Sequence, residues 1–138
     1  MTLFMLDTNV AIKAMKRQEP ILRENIGRAI DQGDILSLSV ITVHELRVGS
    51  LRNSNPVSAI SKNDMFMMLI DKVWSFEPSD AEVAAQIRAR LMKLGLVIGS
   101  LDTLIAGQAV RLGLPLVTNN VREFSRIPNL NVEDWTKS

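Results

Sequence analysis

Apolar and polar positions follow two different periods along this chain, and the switches between them divide it into strands and helices. Leu3 to Leu6 is a short apolar run ending in Asp7-Thr8-Asn9, the pattern of a buried strand that runs into a helix start. Pro20 suits a first helical turn, and Leu22, Ile26, Ala29 and Ile30 then share one face ahead of Gly33. Ile35 to Val40 reads as a second strand, and Thr42 to about Arg52 as a helix capped by Thr42. Asn53 to Pro56 is the one turn-rich stretch and is too short for a domain linker. A helix carrying Met65, Met68 and Leu69 follows, then a short strand over Val73 to Phe76.

The same rhythm continues to the end of the chain. Ser79 and Glu82 have capping-box spacing ahead of a helix with Val83, Ile87 and Leu91, which Gly95 closes. Ser100 caps the next helix, with Ile105, Ala109 and Leu112 as its core and Gly113 after its end. Pro115 to Val117 is a strand that delivers Thr118-Asn119-Asn120, and Leu130 to Val132 is a last short strand. Strands alternating with helices predict one α/β domain over residues 1–138, with a central, mainly parallel sheet. In such sheets ligands bind beyond the carboxyl ends of the strands, where Asp7 and Asn120 both fall.

Composition narrows the chemistry. A hydrophobic share of 46% in 138 residues is enough for one core. The net charge of +1 gives no global basic field, which excludes a dedicated nucleic-acid-binding tail. The absence of cysteine excludes disulfides and thiolate metal sites and suits a reducing cytoplasm. The lone His44 cannot build a His-rich zinc site and reads as a packing or surface residue. No apolar run reaches the ~18 residues of a transmembrane helix. The N-terminus lacks the charged segment of a signal peptide. The expected setting is therefore the cytoplasm.

What remains is oxygen chemistry. Asp7 closes a strand, and Glu45 and Asp102 are each expected in the first turn of a helix. A carboxylate beside an apolar element is costly unless something binds it. Three of them at one end of a sheet would make a hard-cation site suited to metal-assisted chemistry on phosphate. Each also has a purely structural alternative. Asp7 is a favoured N-cap, Thr42-x-x-Glu45 is a capping-box pattern, and Asp102 suits the dipole of a first turn. Asn120-x-x-Glu123 is again cap-like, and turn roles are open to Thr118 and Asn9. A cluster such as Met65-Phe66-Met67-Met68 is more often core than interface, but here it puts Met and Phe on more than one helical face, which favours a partner surface.

The ordered set of segments resembles a PIN domain, and specifically the VapC-type toxin ribonucleases of type II toxin–antitoxin systems. The residues that carry the resemblance are Met5-Leu6-Asp7-Thr8-Asn9, Val43-His44-Glu45-Leu46-Arg47-Val48-Gly49, Ile98-Gly99-Ser100-Leu101-Asp102-Thr103-Leu104-Ile105-Ala106 and Leu116-Val117-Thr118-Asn119-Asn120-Val121-Arg122-Glu123-Phe124. The tail from Ile127 to Trp135 also fits, so the resemblance covers essentially the whole chain. It implies a three-layer α/β/α domain and a Mg²⁺-dependent endoribonuclease, with Mn²⁺ as a substitute. The implied substrate is structured RNA, a tRNA or an rRNA loop. Asp7 and Asp102 would bind the metal directly, and Glu45 would complete the triad through metal or water. Thr118 and Asn120 match a small hydroxyl residue and a fourth polar residue. Many members have Asp at the latter place, so this site carries one negative charge fewer, and Glu123 one turn on is a partial substitute. Arg47, Arg52, Lys13 and Arg122 are the basic residues expected to meet the RNA backbone.

The same resemblance implies partners. A VapB-like antitoxin would contact operator DNA, so that this chain reaches DNA only indirectly. The antitoxin's extended tail would bury an apolar segment against Met65, Phe66, Met68 and Leu69 and aim a basic side chain at the acidic pocket. A homodimer is also implied. Two other function classes compete. A haloacid-dehalogenase-like phosphatase needs a second acid two residues after the first, where this chain has Asn9. A catalytically weak PIN-fold binding module would act through contacts alone.

Overall fold

The first strand sits in the middle of the sheet, and that placement creates the crevice. The computed structural model describes residues 1–137. Its elements run β1 (Leu3–Leu6), α1 (Thr8–Lys16), α2 (Pro20–Asp31), β2 (Ile35–Ser39), α3 (Val40–Leu51), α4 (Pro56–Met67), β3 (Lys72–Trp74), α5 (Pro78–Lys93), α6 (Ser100–Leu112), β4 (Leu116–Val117), α7 (Val121–Phe124) and β5 (Val132–Glu133). The sheet order is β3-β2-β1-β4-β5, and every neighbouring pair is parallel. The chain fills one side of β1 first and then crosses to the other. The carboxyl ends of β1 and β4 therefore flank the point where the strand order reverses, the usual ligand crevice of such sheets. Leu6 pairs with Val117 there, so Asp7 and Thr118 emerge side by side.

Alternation along β1 sends side chains into two cores. Phe4 and Leu6 face α1 to α4, packing with Val10, Leu22, Leu36, Leu38 and Leu46. Met5 faces the opposite layer, with Ile87, Leu91, Ile105, Ala109, Leu116 and Phe124 from α5, α6, β4 and α7. Helices thus cover both faces, giving the expected three layers. Each fully buried Leu or Ile contributes about 1.5–3 kcal/mol. Helices α5 and α6 cross closely: a Cβ on Gly107 would lie 2.7 Å from the Ala84 Cα.

Several local expectations are corrected. The cap of α3 is Ser39, whose hydroxyl accepts the Ile41 N–H at 3.1 Å, and not Thr42. A hydroxyl at the last strand residue lets the helix begin three residues sooner. Thr42 then lies buried inside α3, and Glu45 moves from the first turn to the second. In α5 the box is closed by Asp80, which accepts the Glu77 N–H at 2.8 Å, and not by Ser79 and Glu82, because Pro78 fixes the first turn earlier. Gly99, not Ser100, occupies the cap of α6. The short strands shift by a residue or two from Val73–Phe76, Pro115–Val117 and Leu130–Val132. Ile30 is exposed rather than core, and Leu112 is half-buried. The expected groove wall also breaks up. Phe66 is only 4% exposed and belongs to the core, while Met65 stands outward on α4 and Met68 and Leu69 follow its end.

Candidate active site

Asp7 is the centre of the crevice. It is fully buried and follows β1 directly. Its Oδ1 accepts the Val10 N–H at 2.8 Å, which caps α1. Its Oδ2 accepts the hydroxyl proton of Thr118, itself fully buried at the end of β4. The structural role and the crevice position are thus both real: one oxygen serves the helix and the other faces the strand end. Burial pushes the Asp7 carboxyl up to about 6, against the hydrogen bonds from Thr118 and Val10, and the charge of Asp102 adds to the rise.

The other predicted residues gather around it. Asp102 lies in the first turn of α6, half-buried. Its carboxyl is raised by burial, then by the charge of Glu45 and then by that of Glu123. Glu45 accepts the Thr8 hydroxyl at 3.1 Å, and the same hydroxyl lies 3.1 Å from that of Thr42. Asn120 joins the set through two contacts. Its N–H donates to the Thr118 hydroxyl at 3.0 Å, and its side-chain amide donates to Glu123 at 2.9 Å. Asn120 caps α7 only by position, since its side chain makes no capping bond. Asp7, Glu45, Asp102, Thr118 and Asn120 therefore converge, with Glu123 beside them. His44 points outward on α3 and takes no part.

Two further contributors lie inside the matching segments, with roles that only the fold assigns. Thr8 orients Glu45 and is buried at the first position of α1. Gly99 leaves room for Asp102: a Cβ there would lie 3.1 Å from Asp102 Oδ2. Of the expected basic rim, Lys13 pairs with Glu19 at 2.7 Å and Arg47 with Asp64 at 3.5 Å.

Charge is the distinctive property of this crevice. Among the described residues, none of Asp7, Glu45, Asp102 and Glu123 has a Lys, Arg or His partner. Burial is the first cause of the raised Asp7 and Asp102 carboxyls, and repulsion among carboxylates without a counter-ion adds to it. Among the described residues, no three acidic or His side chains close tightly enough to form a finished cage. Mg²⁺ does not need one. It retains several waters and is held by one or two carboxylates plus substrate phosphates. An all-oxygen donor set with unbalanced negative charge fits such an ion.

The comparisons with known proteins agree with this geometry. The PIN domain family matches residues 4–130. The tRNA(fMet)-specific endonuclease VapC of Shigella flexneri is 37% identical over 96% of this chain and 98% of its own length. Ribonuclease VapC2 of Rickettsia felis is 32% identical over 98% of this chain and 99% of its own. Among solved structures, a chain of the DNA-bound VapBC of Salmonella typhimurium superposes with a TM-score of 0.88 at 36% identity, covering 98% of this chain and 99% of that one. A chain of the Rickettsia felis VapBC2 complex, bound to a promoter DNA fragment, gives 0.89 at 30% identity, covering 97% and 99%. The chain belongs to the PIN-domain family and, within it, to the VapC-type ribonucleases.

Proposed function

We propose that this chain is the toxin of a VapBC-type toxin–antitoxin pair and cleaves structured RNA with the help of a divalent cation. The observation that carries the reading is the convergence of Asp7, Glu45, Asp102 and Glu123 at the sheet crevice without a cationic side chain among them. Asp7 and Asp102 would hold Mg²⁺, or Mn²⁺ in its place, and Glu45 would reach it directly or through water. Bound there, the cation supplies polarisation of the phosphate and a more acidic water. Thr118 and the α1 N-terminus keep Asp7 in one orientation, and Thr8 does the same for Glu45. Asn120 offers a neutral oxygen where a further carboxylate would bind a second cation more strongly, so this reading has one metal at the core of the site. Relatives named tRNA(fMet)-specific endonucleases favour tRNA over an rRNA loop as the substrate.

The partners follow from the same reading. A cleft of about 590 Å³ runs between α1, α3 and α4, with Ile12, Met15 and Leu46 on its walls and Glu45 at its edge. We place the tail of a VapB-like antitoxin there, with a basic side chain directed at the carboxylates, in place of the broken-up Met65–Leu69 wall. Operator DNA would be bound through that antitoxin; the structures that this fold matches include VapBC complexes bound to DNA. The chain would act as a single domain and a homodimer in the cytoplasm. Among the described residues, no helix is long and apolar enough to cross a membrane.

One assay separates this reading from its rivals. The purified chain, freed of partner, is incubated with RNA, DNA and a phosphomonoester in Mg²⁺ or Mn²⁺, and then with EDTA. RNA alone should be cut, and EDTA should stop the cutting. Turnover of the monoester would favour a phosphatase, and cleavage of nothing a binding module. Adding antitoxin tail should inhibit cleavage, with the inhibition relieved as Mg²⁺ is raised.

A further inference from the structure

Beside the acidic crevice lies a second cleft, of about 610 Å³, whose walls include Asn9, Lys13, Glu19 and Asn119. Two of its lining residues adjoin the site along the chain. Asn9 is two residues beyond Asp7, and Asn119 directly follows Thr118. It also shares Ile12, Lys16 and Gln18 with the cleft between α1, α3 and α4, so the two are neighbours.

Its walls hold a specific defect. Four buried side-chain polar atoms among the described residues lack a hydrogen-bond partner, and two of the four, Glu19 Oε2 and Asn119 Oδ1, belong to residues of this one cleft. Buried acceptors are rarely left without a donor, so two in one place ask what satisfies them. The other oxygen of Glu19 accepts from Lys13 Nζ at 2.7 Å. The wall thus holds one cationic donor and two unpartnered acceptors, whose oxygens are buried and reach the cleft by rotation of their side chains. Because Lys13 and Glu19 neutralise each other, the cleft suits an uncharged polar edge better than a phosphate.

The bases of RNA differ in this respect. Guanine presents O6 as an acceptor beside two adjacent donors, N1–H and the N2 amine. Adenine and cytosine each set one amine beside a bare ring nitrogen, whose lone pair would face an acceptor. Uracil has a single donor between two acceptors. Proteins that read RNA take unstacked bases by these edges. We propose that the Lys13–Glu19–Asn119 cleft is a subsite for a guanine base of the RNA, with Glu19 and Asn119 accepting from its N1–H and N2 amine and Lys13 donating to O6. This rests on the ribonuclease reading above. The Glu19 side chain is 35% exposed and Asn119 is half-buried, and their terminal torsions are soft, so a rotation turns each oxygen toward a bound base.

The test uses the full chain in EDTA, where no RNA is cut, titrated with 5′-GMP, 5′-IMP, 5′-AMP, 5′-CMP and 5′-UMP by calorimetry or NMR. GMP should bind about tenfold tighter than IMP, which lacks the N2 amine, and tighter than the other three. Glu19→Gln places an amide donor against N1–H, which GMP and IMP share, and should weaken both about tenfold. Asn119→Ala removes the acceptor of the N2 amine and should bring GMP down to the affinity of IMP. A second measurement, sequencing the fragments of a random RNA pool cut in Mg²⁺, should show guanine enriched at one fixed position from the cut, and Glu19→Gln should flatten that enrichment. Equal GMP and IMP affinities, no GMP binding, or a Glu19→Gln variant with unchanged GMP affinity would overturn the subsite. Cutting without positional guanine preference leaves the nuclease reading standing and removes the subsite. GMP binding without any RNA cleavage does the reverse.

Discussion

Asp7 and Asp80 are both aspartates with no exposed surface, both sit at the start of a helix, and they titrate in opposite directions. Burial works against the charge of each. At Asp80 it is overcome. Arg111 donates to one oxygen, and the Glu77 N–H and the Gln108 amide donate to the other, which holds the carboxyl below its ordinary value. At Asp7 burial prevails: among the described residues no cationic side chain offsets it, and the charge of Asp102 adds to it. Asp80 is a finished structural unit that ties α5 to α6. Asp7 accepts hydrogen bonds from Val10 and Thr118 but has no cationic partner among the described residues, the gap that the proposed cation would fill. Burial alone therefore does not separate a structural acid from a functional one; the sign of its neighbours does.

Exchanging each acid for its amide should separate the two roles most sharply in activity. Asp7→Asn keeps the shape and the α1 cap but removes the charge, and cleavage of RNA in Mg²⁺ should fall by roughly three orders of magnitude. Asn120→Ala, at a neutral position, should cost clearly less. Asp80→Asn should leave the rate of the folded fraction within a few-fold of the unaltered chain. Matched rates for Asp7→Asn and the unaltered chain would remove Asp7 from the site.

Stability in EDTA should show the inverse. The folded state holds a proton at Asp7 more tightly than the unfolded chain does. Stability of the metal-free protein therefore falls as pH rises from 3.8 through about 6, and the loss is complete above that window. The loss is on the order of 2–3 kcal/mol at neutral pH. Asp7→Asn should recover most of it, melting several degrees higher than the unaltered chain at pH 8 and equally at pH 4. Adding Mg²⁺ should raise the melting point of the unaltered chain and not that of the variant. At Asp80 the carboxyl is lowered, so its contribution is present above the ordinary carboxylate value and is lost as pH falls through the folded one. Asp80→Asn should thus melt lower at pH 8. If both variants shift the melting point in the same direction at pH 8, the contrast between the two acids is wrong.

This contrast also shows what could be read from the chain beforehand. The alternation of periods was enough for a parallel α/β sheet, and the segments around Asp7, Glu45, Asp102 and Asn120 marked the crevice. Their local setting could not separate cap from ligand, because Asp7 is both. The bond from Thr118 to Asp7 spans 111 positions and exists only because β4 lies beside β1. Strand order, not local pattern, produces it. Glu45 is a capping partner of Thr42 only for a helix that starts there; Ser39 starts α3 sooner and frees it. In Met65-Phe66-Met67-Met68, four apolar side chains in a row carry no phase, so nothing local told that Phe66 would be the one buried. Glu19 lies in none of the matching segments, and Asn119 lies in one without a role that its type or spacing assigns.

The smallest expected effects come from two glycines, and they sharpen the same distinction without touching a charge. Gly107 faces Ala84 across the α5–α6 crossing, where a new Cβ would sit 2.7 Å from backbone. Neither helix can give way without moving a packed layer. Gly107→Ala should therefore destabilise by about 1–3 kcal/mol, with Mg²⁺ affinity per folded molecule unchanged. At Gly99 the neighbour is a side chain: a new Cβ would lie 3.1 Å from Asp102 Oδ2. The backbone at Gly99 has φ −53, which any residue adopts, so the glycine is there for space and not for conformation. Asp102 yields by rotating, which costs little stability but moves its oxygen away from the crevice. Gly99→Ala should melt within about 1 °C of the unaltered chain in EDTA and bind Mn²⁺ a few-fold more weakly, roughly half a kcal/mol or somewhat more. Titration of Mn²⁺ followed by electron paramagnetic resonance reads that affinity without any need for substrate. Loss of fold stability with intact Mn²⁺ affinity in Gly99→Ala would mean that Asp102, like Asp80, belongs to the framework and not to the site.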